Sequence, residues 1–197
     1  MNKLGCTLLS LLAVALVLGV GTAAAQDAYY DVGYFTNANA SGSPSAHLRL
    51  TNDGNDDTLD LCANIYVFDN TEEMQECCSC DITANGYLDL SVTTNLISNI
   101  LDHGTKPTRG IIKVVSSTVP PKGCSAGYEN STEGGIKGWL THVQRTATAG
   151  VFSLTETTLT DSYLSPEEQD FNLQETCAMV LSLGSGTGAC SCTDFGD

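Results

Sequence analysis

Nine cysteines in 197 residues constrain this chain more than any other feature. One of them, Cys6, falls in an N-terminal segment that reads as an export signal. Lys3 is the only positive charge ahead of an apolar run from Leu8 to Val20, and Ala23 and Ala25 frame an A-x-A cleavage site before Gln26. The run is short of the roughly 20 residues a helix needs to cross a bilayer. Residues 1–25 are therefore expected to be a cleaved signal peptide, and no later segment is apolar enough to span, so a secreted, extracellular or cell-surface protein is expected. Eight cysteines remain: Cys62, Cys77, Cys78, Cys80, Cys124, Cys177, Cys190 and Cys192. An even number in an exported chain reads as a disulfide framework of up to four bonds.

Zinc competes for the Cys77-Cys78-Ser79-Cys80 knot. Zinc sites, however, usually show paired C-x2-4-C spacings, and His47, His103 and His142 are scattered. Eight cysteines allow roughly a hundred pairings, so connectivity stays open. Two local expectations follow. Adjacent Cys77 and Cys78 point to opposite faces if extended, and so bond different neighbours. Cys177 is placed to bond Cys190 or Cys192, which follow it after the Gly184-Ser185-Gly186-Thr187-Gly188 turn.

Charge narrows the function classes. Against 8 basic residues stand 23 acidic ones, a net charge of −15, which repels phosphate backbones and excludes nucleic acid as a partner. Such acidity keeps an exported protein soluble and attracts divalent cations. Asp53, Asn55 and Asp57 occupy positions one, three and five of a calcium-like loop, but Thr58 stands where glycine belongs and Asn64 where the bidentate glutamate belongs. The loop reads as a turn without metal, with a weak claim on calcium, and no cofactor is expected. No G-x-S-x-G elbow or metalloprotease histidine spacing is present, the Gly184–Gly188 stretch follows a helix instead of opening one, and no carboxylate pair stands out. No enzymatic activity is expected.

Alternation predicts strands. Ala28 to Thr36 is rich in tyrosine, with Tyr30, Val32 and Tyr34 on one face and Tyr29 and Phe35 on the other. A polar Gly/Ser/Pro linker, residues 37–45, separates this 26–36 segment from the body at 46–197. Further strands are predicted at Ala46 to Thr51, Leu61 to Phe68, Gly86 to Val92 and Gly110 to Ser116, with a hairpin pairing Trp139 to Thr146 against Val151 to Leu159. Ser165-Pro166-Glu167-Glu168 carries a helix-start signature, predicting a helix over about 166–183 whose apolar face holds Leu173, Cys177, Val180 and Leu181. The fold class is mainly β: a β-sandwich of Greek-key or jelly-roll type with one C-terminal helix.

The Leu61–Phe68 run, the Cys-Cys-Ser-Cys knot, Gly110–Ser117 and the closing Gly-Ser-Gly…Cys-x-Cys resemble an uncharacterised family of secreted bacterial β-proteins. Some proteins of that kind resemble subunits of extracellular, pilus-like filaments. The resemblance implies a structural homopolymer. A tethered aromatic strand fits the same role, because an extended segment donated to a neighbour's sheet grows a head-to-tail polymer. Tyr29, Tyr30, Val32, Tyr34 and Phe35 are the expected assembly residues, and the linker length favours exchange over a self-paired hairpin. The alternatives are a calcium-dependent adhesin or glycan-binding domain and, behind it, a secreted hydrolase. Surface glycans are a second partner class, and the Asn39 and Asn130 sequons are candidate glycan acceptors.

Overall fold

A computed structural model of the chain describes residues 28–54, 59–101, 104–127, 132–165 and 172–193. The expected signal peptide, Asn55, Asp57, His103, Asn130 and the Pro166 to Glu168 part of the helix-start signature lie outside the described residues.

Each alternating segment becomes a strand. In chain order they are β1 (Ala28–Thr36), β2 (His47–Asn52), β3 (Leu61–Asp69), β4 (Met74–Ile82), β5 (Tyr87–Ser91), β6 (Arg109–Thr118), β7 (Ile136–Arg145), β8 (Phe152–Thr158) and β9 (Thr160–Leu164). One sheet has the order β4-β3-β6-β1-β9 and the other β5-β2-β7-β8, all pairs antiparallel. The two sheets face each other across the main core. Leu48, Leu50, Leu90 and Leu140 from one layer meet Phe35, Ile65, Val67, Ile112 and Val114 from the other.

The predicted hairpin forms as β7 and β8, with Arg145 opposite Phe152 and Trp139 opposite Thr158. The chain then does something the alternation did not signal. It bends at Leu159, which is buried and donates its N–H to the Gly138 carbonyl, and it crosses into the other sheet as β9. One continuous segment thus joins the two layers along one side.

A second apolar cluster lies on the outer face of the five-stranded sheet. Tyr66, Cys77 and Val115 are covered there by Leu173, Cys177 and Val180, the last two from the helix α1 (Glu175–Leu183). Both faces of β3 are consequently buried. The tyrosine keeps a partner in this cluster, since its hydroxyl donates to the Ala126 carbonyl at 3.0 Å.

Among the described residues the α-helix runs over Glu175–Leu183, and Gln174 at its start makes no side-chain cap; the predicted start near Pro166 lies outside the described residues. Two expectations are corrected. Leu181 is 37 % exposed and does not belong to the buried face. The pairing of Cys177 is also different. The bonds are Cys62–Cys124, Cys77–Cys177, Cys78–Cys190 and Cys80–Cys192. The reason is the alternation of β4: Cys77 faces the helix on the outer surface, whereas Cys78 and Cys80 pack at the main core with Cys190 and Cys192 of the C-terminal tail. Adjacent cysteines do bond different neighbours, as the strand geometry requires.

The tail also shields a sheet edge. The Cys77 N–H donates to the Gly188 carbonyl and the Cys190 N–H to the Cys77 carbonyl, so the outer rim of β4 is partly occupied. No described helix is long and apolar enough to cross a membrane.

Candidate functional site

β1 lies inside its sheet, between β6 and β9. Residues 31–36 pair with β6 and residues 28–32 with β9. Its inner face carries Asp31, Gly33 and Phe35. Phe35 is fully buried opposite Gly110, and a Cβ on that glycine would sit 2.0 Å from the Phe68 carbonyl oxygen and 2.8 Å from the Phe35 ring. Only glycine lets the phenyl ring lie so close to β6. Gly33 plays the same part against the other layer, where a Cβ would meet Leu159 at 2.6 Å and Leu140 at 2.9 Å.

On the outer face Tyr30 and Val32 are half-buried, and Tyr34 is 50 % exposed with its ring 4.3 Å from that of His142. Lys113 of β6 places its ammonium 5.2 Å from the Tyr30 ring centre and 5.5 Å from that of Phe68. Tyr29 pairs through its backbone with Tyr163. Among the described side chains, Tyr30 and Val32 lie on the face opposite Phe35, which anchors the strand.

The start of the linker is built into the domain. Asn37 donates its side-chain amide to the Val143 carbonyl at 2.6 Å, and Thr36 donates its hydroxyl to the same oxygen. Ala38 is buried and its N–H donates to the Thr108 carbonyl. Asn37, Asn39 and Gly42 take positive φ, which lets the segment turn sharply before β2.

Where β1 meets β9, Asp31 stands directly opposite Asp161 and the two carboxyls are hydrogen-bonded. Burial pushes the Asp31 carboxyl up to about 6, the bond to Asp161 and its charge push the same way, and Lys137 opposes them. A cleft of about 460 Å³ opens here between the layers, lined by Asp31, Lys137, Trp139, Thr158, Thr160 and Asp161. A neighbouring hollow of about 230 Å³ shares Asp31, Lys137 and Asp161 and adds Glu133. While protonated, Asp31 donates to Asp161; once that proton is lost, Asp31 adds its negative charge to the cleft.

Elsewhere the acidic surface is organised rather than uniform. Asp89 accepts from His47 Nδ1 at 2.7 Å, Arg49 Nε at 3.0 Å and the Tyr87 hydroxyl at 3.1 Å, and Arg49 also reaches Glu156 two strands away. His142 is buried and bonds Thr157. Of the weak calcium candidates, Asp53 is exposed and its N–H donates to the Gly135 carbonyl. The sulfurs of Cys78, Cys80 and Cys192 lie within 4.8 Å of one another.

These features define a disulfide-stapled β-sandwich whose first described strand is an interior strand of its own sheet. Comparison with protein-family models, with curated proteins and with solved structures finds no match. The four disulfides are compatible with an extracellular setting.

Proposed function

We propose that this chain is a secreted structural subunit that polymerises into an extracellular filament by trading β1 between neighbouring copies. The observation that carries this reading is the position of β1. The first described strand fills an interior slot between β6 and β9, is fixed there by hydrogen bonds and packing alone, and joins the body through residues 37–45. The last described residues, by contrast, are fastened by two disulfides. A strand held only by non-covalent contacts can be replaced by the same strand of another copy with every contact reproduced. The self-paired form is then the closed monomer and the exchanged form the polymer, because a head-to-tail donation does not close on itself.

The test is deletion of residues 26–36 from the mature protein. The truncated chain is expected to remain a folded monomer with an open groove between β6 and β9, to form no filaments under the electron microscope, and to bind a synthetic peptide of the deleted sequence. Filaments formed by the truncated chain, or the absence of any polymer from the intact mature protein across a wide concentration range, would refute the reading.

A further inference from the structure

Two C-x-C arms meet at the rim of the five-stranded sheet. Cys78 and Cys80 are two apart on β4 and project to the same side of it; Cys190 and Cys192 are likewise two apart in the tail alongside. Their cross-links run in parallel, Cys78 to Cys190 and Cys80 to Cys192, and bring sulfurs of different bonds close together. Those of Cys78, Cys80 and Cys192 are mutually within 4.8 Å, and that of Cys190 is bonded to Cys78. The other two disulfides do not enter this group.

We propose that, once both of these bonds are reduced, the four thiols form a tetrathiolate site for a soft four-coordinate cation, zinc being the natural occupant. A tetrahedral site with metal–sulfur bonds of about 2.3 Å sets its sulfurs roughly 3.8 Å apart. Each bonded pair needs to open, the non-bonded sulfurs among Cys78, Cys80 and Cys192 to draw in by up to about an ångström, and that of Cys190, which lies outside this 4.8 Å group, to swing in further, movements that rotation about the Cα–Cβ bonds supplies. The arms stay in place without the cross-links. The Cys77 N–H holds the Gly188 carbonyl, the Cys190 N–H the Cys77 carbonyl and the Ser191 N–H the Asn95 carbonyl, while the Asn95 side-chain amide donates to the Thr193 carbonyl at 2.7 Å. Cys80 and Cys190 are buried, which shields the metal, and Cys78 and Cys192 are partly exposed, which admits it.

The chemistry balances with a dithiol as reductant. Two dithiol molecules give four electrons and four protons to the two disulfides and leave as two cyclic disulfides. The four protein thiols then release their four protons to solvent as zinc binds, giving a site of net charge −2. The same four residues thus lock the tail in either state: by two covalent bonds when oxidised, by one metal ion when reduced.

The experiment uses the full mature chain reduced with a phosphine, which leaves zinc free, and titrated with Co²⁺ and then Zn²⁺. One equivalent of cobalt is expected to produce thiolate charge-transfer and tetrahedral d–d bands that zinc abolishes. Zinc should also raise the melting temperature of the reduced protein. Both effects should persist in Cys62→Ser/Cys124→Ser and vanish in Cys190→Ser/Cys192→Ser. The proposal is overturned if the reduced chain shows no such bands, if the Cys190→Ser/Cys192→Ser protein keeps them, or if Cys62→Ser/Cys124→Ser loses them. It is overturned equally if the reduced chain unfolds and zinc does not restore its β-sheet circular dichroism.

Discussion

A carboxyl group with no exposed surface must find a partner for its charge or keep its proton. Glu76 on β4 has none of its surface exposed; its Oε1 accepts the Asn99 N–H at 2.5 Å, and its Oε2 has no hydrogen-bond partner among the described residues. Burial pushes the group up to about 7, with the Asn99 N–H and the charge of Lys106 pulling back. A carboxyl raised above its ordinary value of 4.5 favours folding while protonated, so this stability is complete at acidic pH and is lost as the pH climbs through 7. The loss is on the order of 3 kcal/mol. Asp31 follows the same sign in a lower window, between 3.8 and about 6. Denaturant melts of the wild type should therefore lose stability as the pH rises from 4.5 to about 7, while Glu76→Gln, which retains the acceptor for Asn99, should lose less over that range and stay flat between about pH 6 and about pH 7, above the Asp31 window. An equal decline in both proteins would remove Glu76 as the cause. None of this is legible in the sequence. Met74-Gln75-Glu76 reads as polar, and neither the burial of Glu76 nor the opposition of Asp31 to Asp161 can be inferred without the sheet order that creates it.

At the scale of elements, α1 depends on its surroundings. Its nine residues are fewer than the roughly 12 an isolated helix needs to persist in water, so it is held by the packing of Leu173, Cys177 and Val180 and by the bond from Cys177 to Cys77. Replacing that bond in Cys77→Ala/Cys177→Ala should cost about 2 to 4 kcal/mol. Hydrogen exchange should rise at the α1 amides before it rises in β3 and β6. Unchanged protection of α1 would mean that packing alone suffices. The helix-start signature Ser165-Pro166-Glu167-Glu168 falls mostly outside the described residues; within them, what fixes the short helix is the sheet face below it. Strands β1, β2, β3, β5, β6, β7 and β8 were legible because each has a two-residue apolar period or a β-branched run. Strand β4 was not, since Gln75, Glu76, Ser79 and Asp81 break the pattern while its cysteines do the packing. Strand β9 is legible only once the crossover at Leu159 is known. The disulfide pairing depends on that same three-dimensional arrangement, and the tail along β4 could not have been read from spacing.

For the whole molecule, charge and strand exchange act against each other. A chain of net charge −15 repels its own copies at the moment a strand leaves one groove for another, and the repulsion reaches over about 30 Å at 0.01 M salt but only about 8 Å at 0.15 M. Assembly of the mature protein should therefore speed up several-fold as sodium chloride rises through that range, followed by light scattering at fixed protein concentration. Calcium provides the control, because the Asp53 loop lacks the downstream acid that a strong site requires. At matched ionic strength calcium chloride should do no more than sodium chloride. If calcium accelerates assembly further and Asp53→Asn removes the excess, the loop bridges subunits through the cation and the adhesin-like reading of that loop regains its ground. If neither salt changes the rate, the surfaces that meet during exchange lie away from the acidic groups, and self-repulsion does not govern growth.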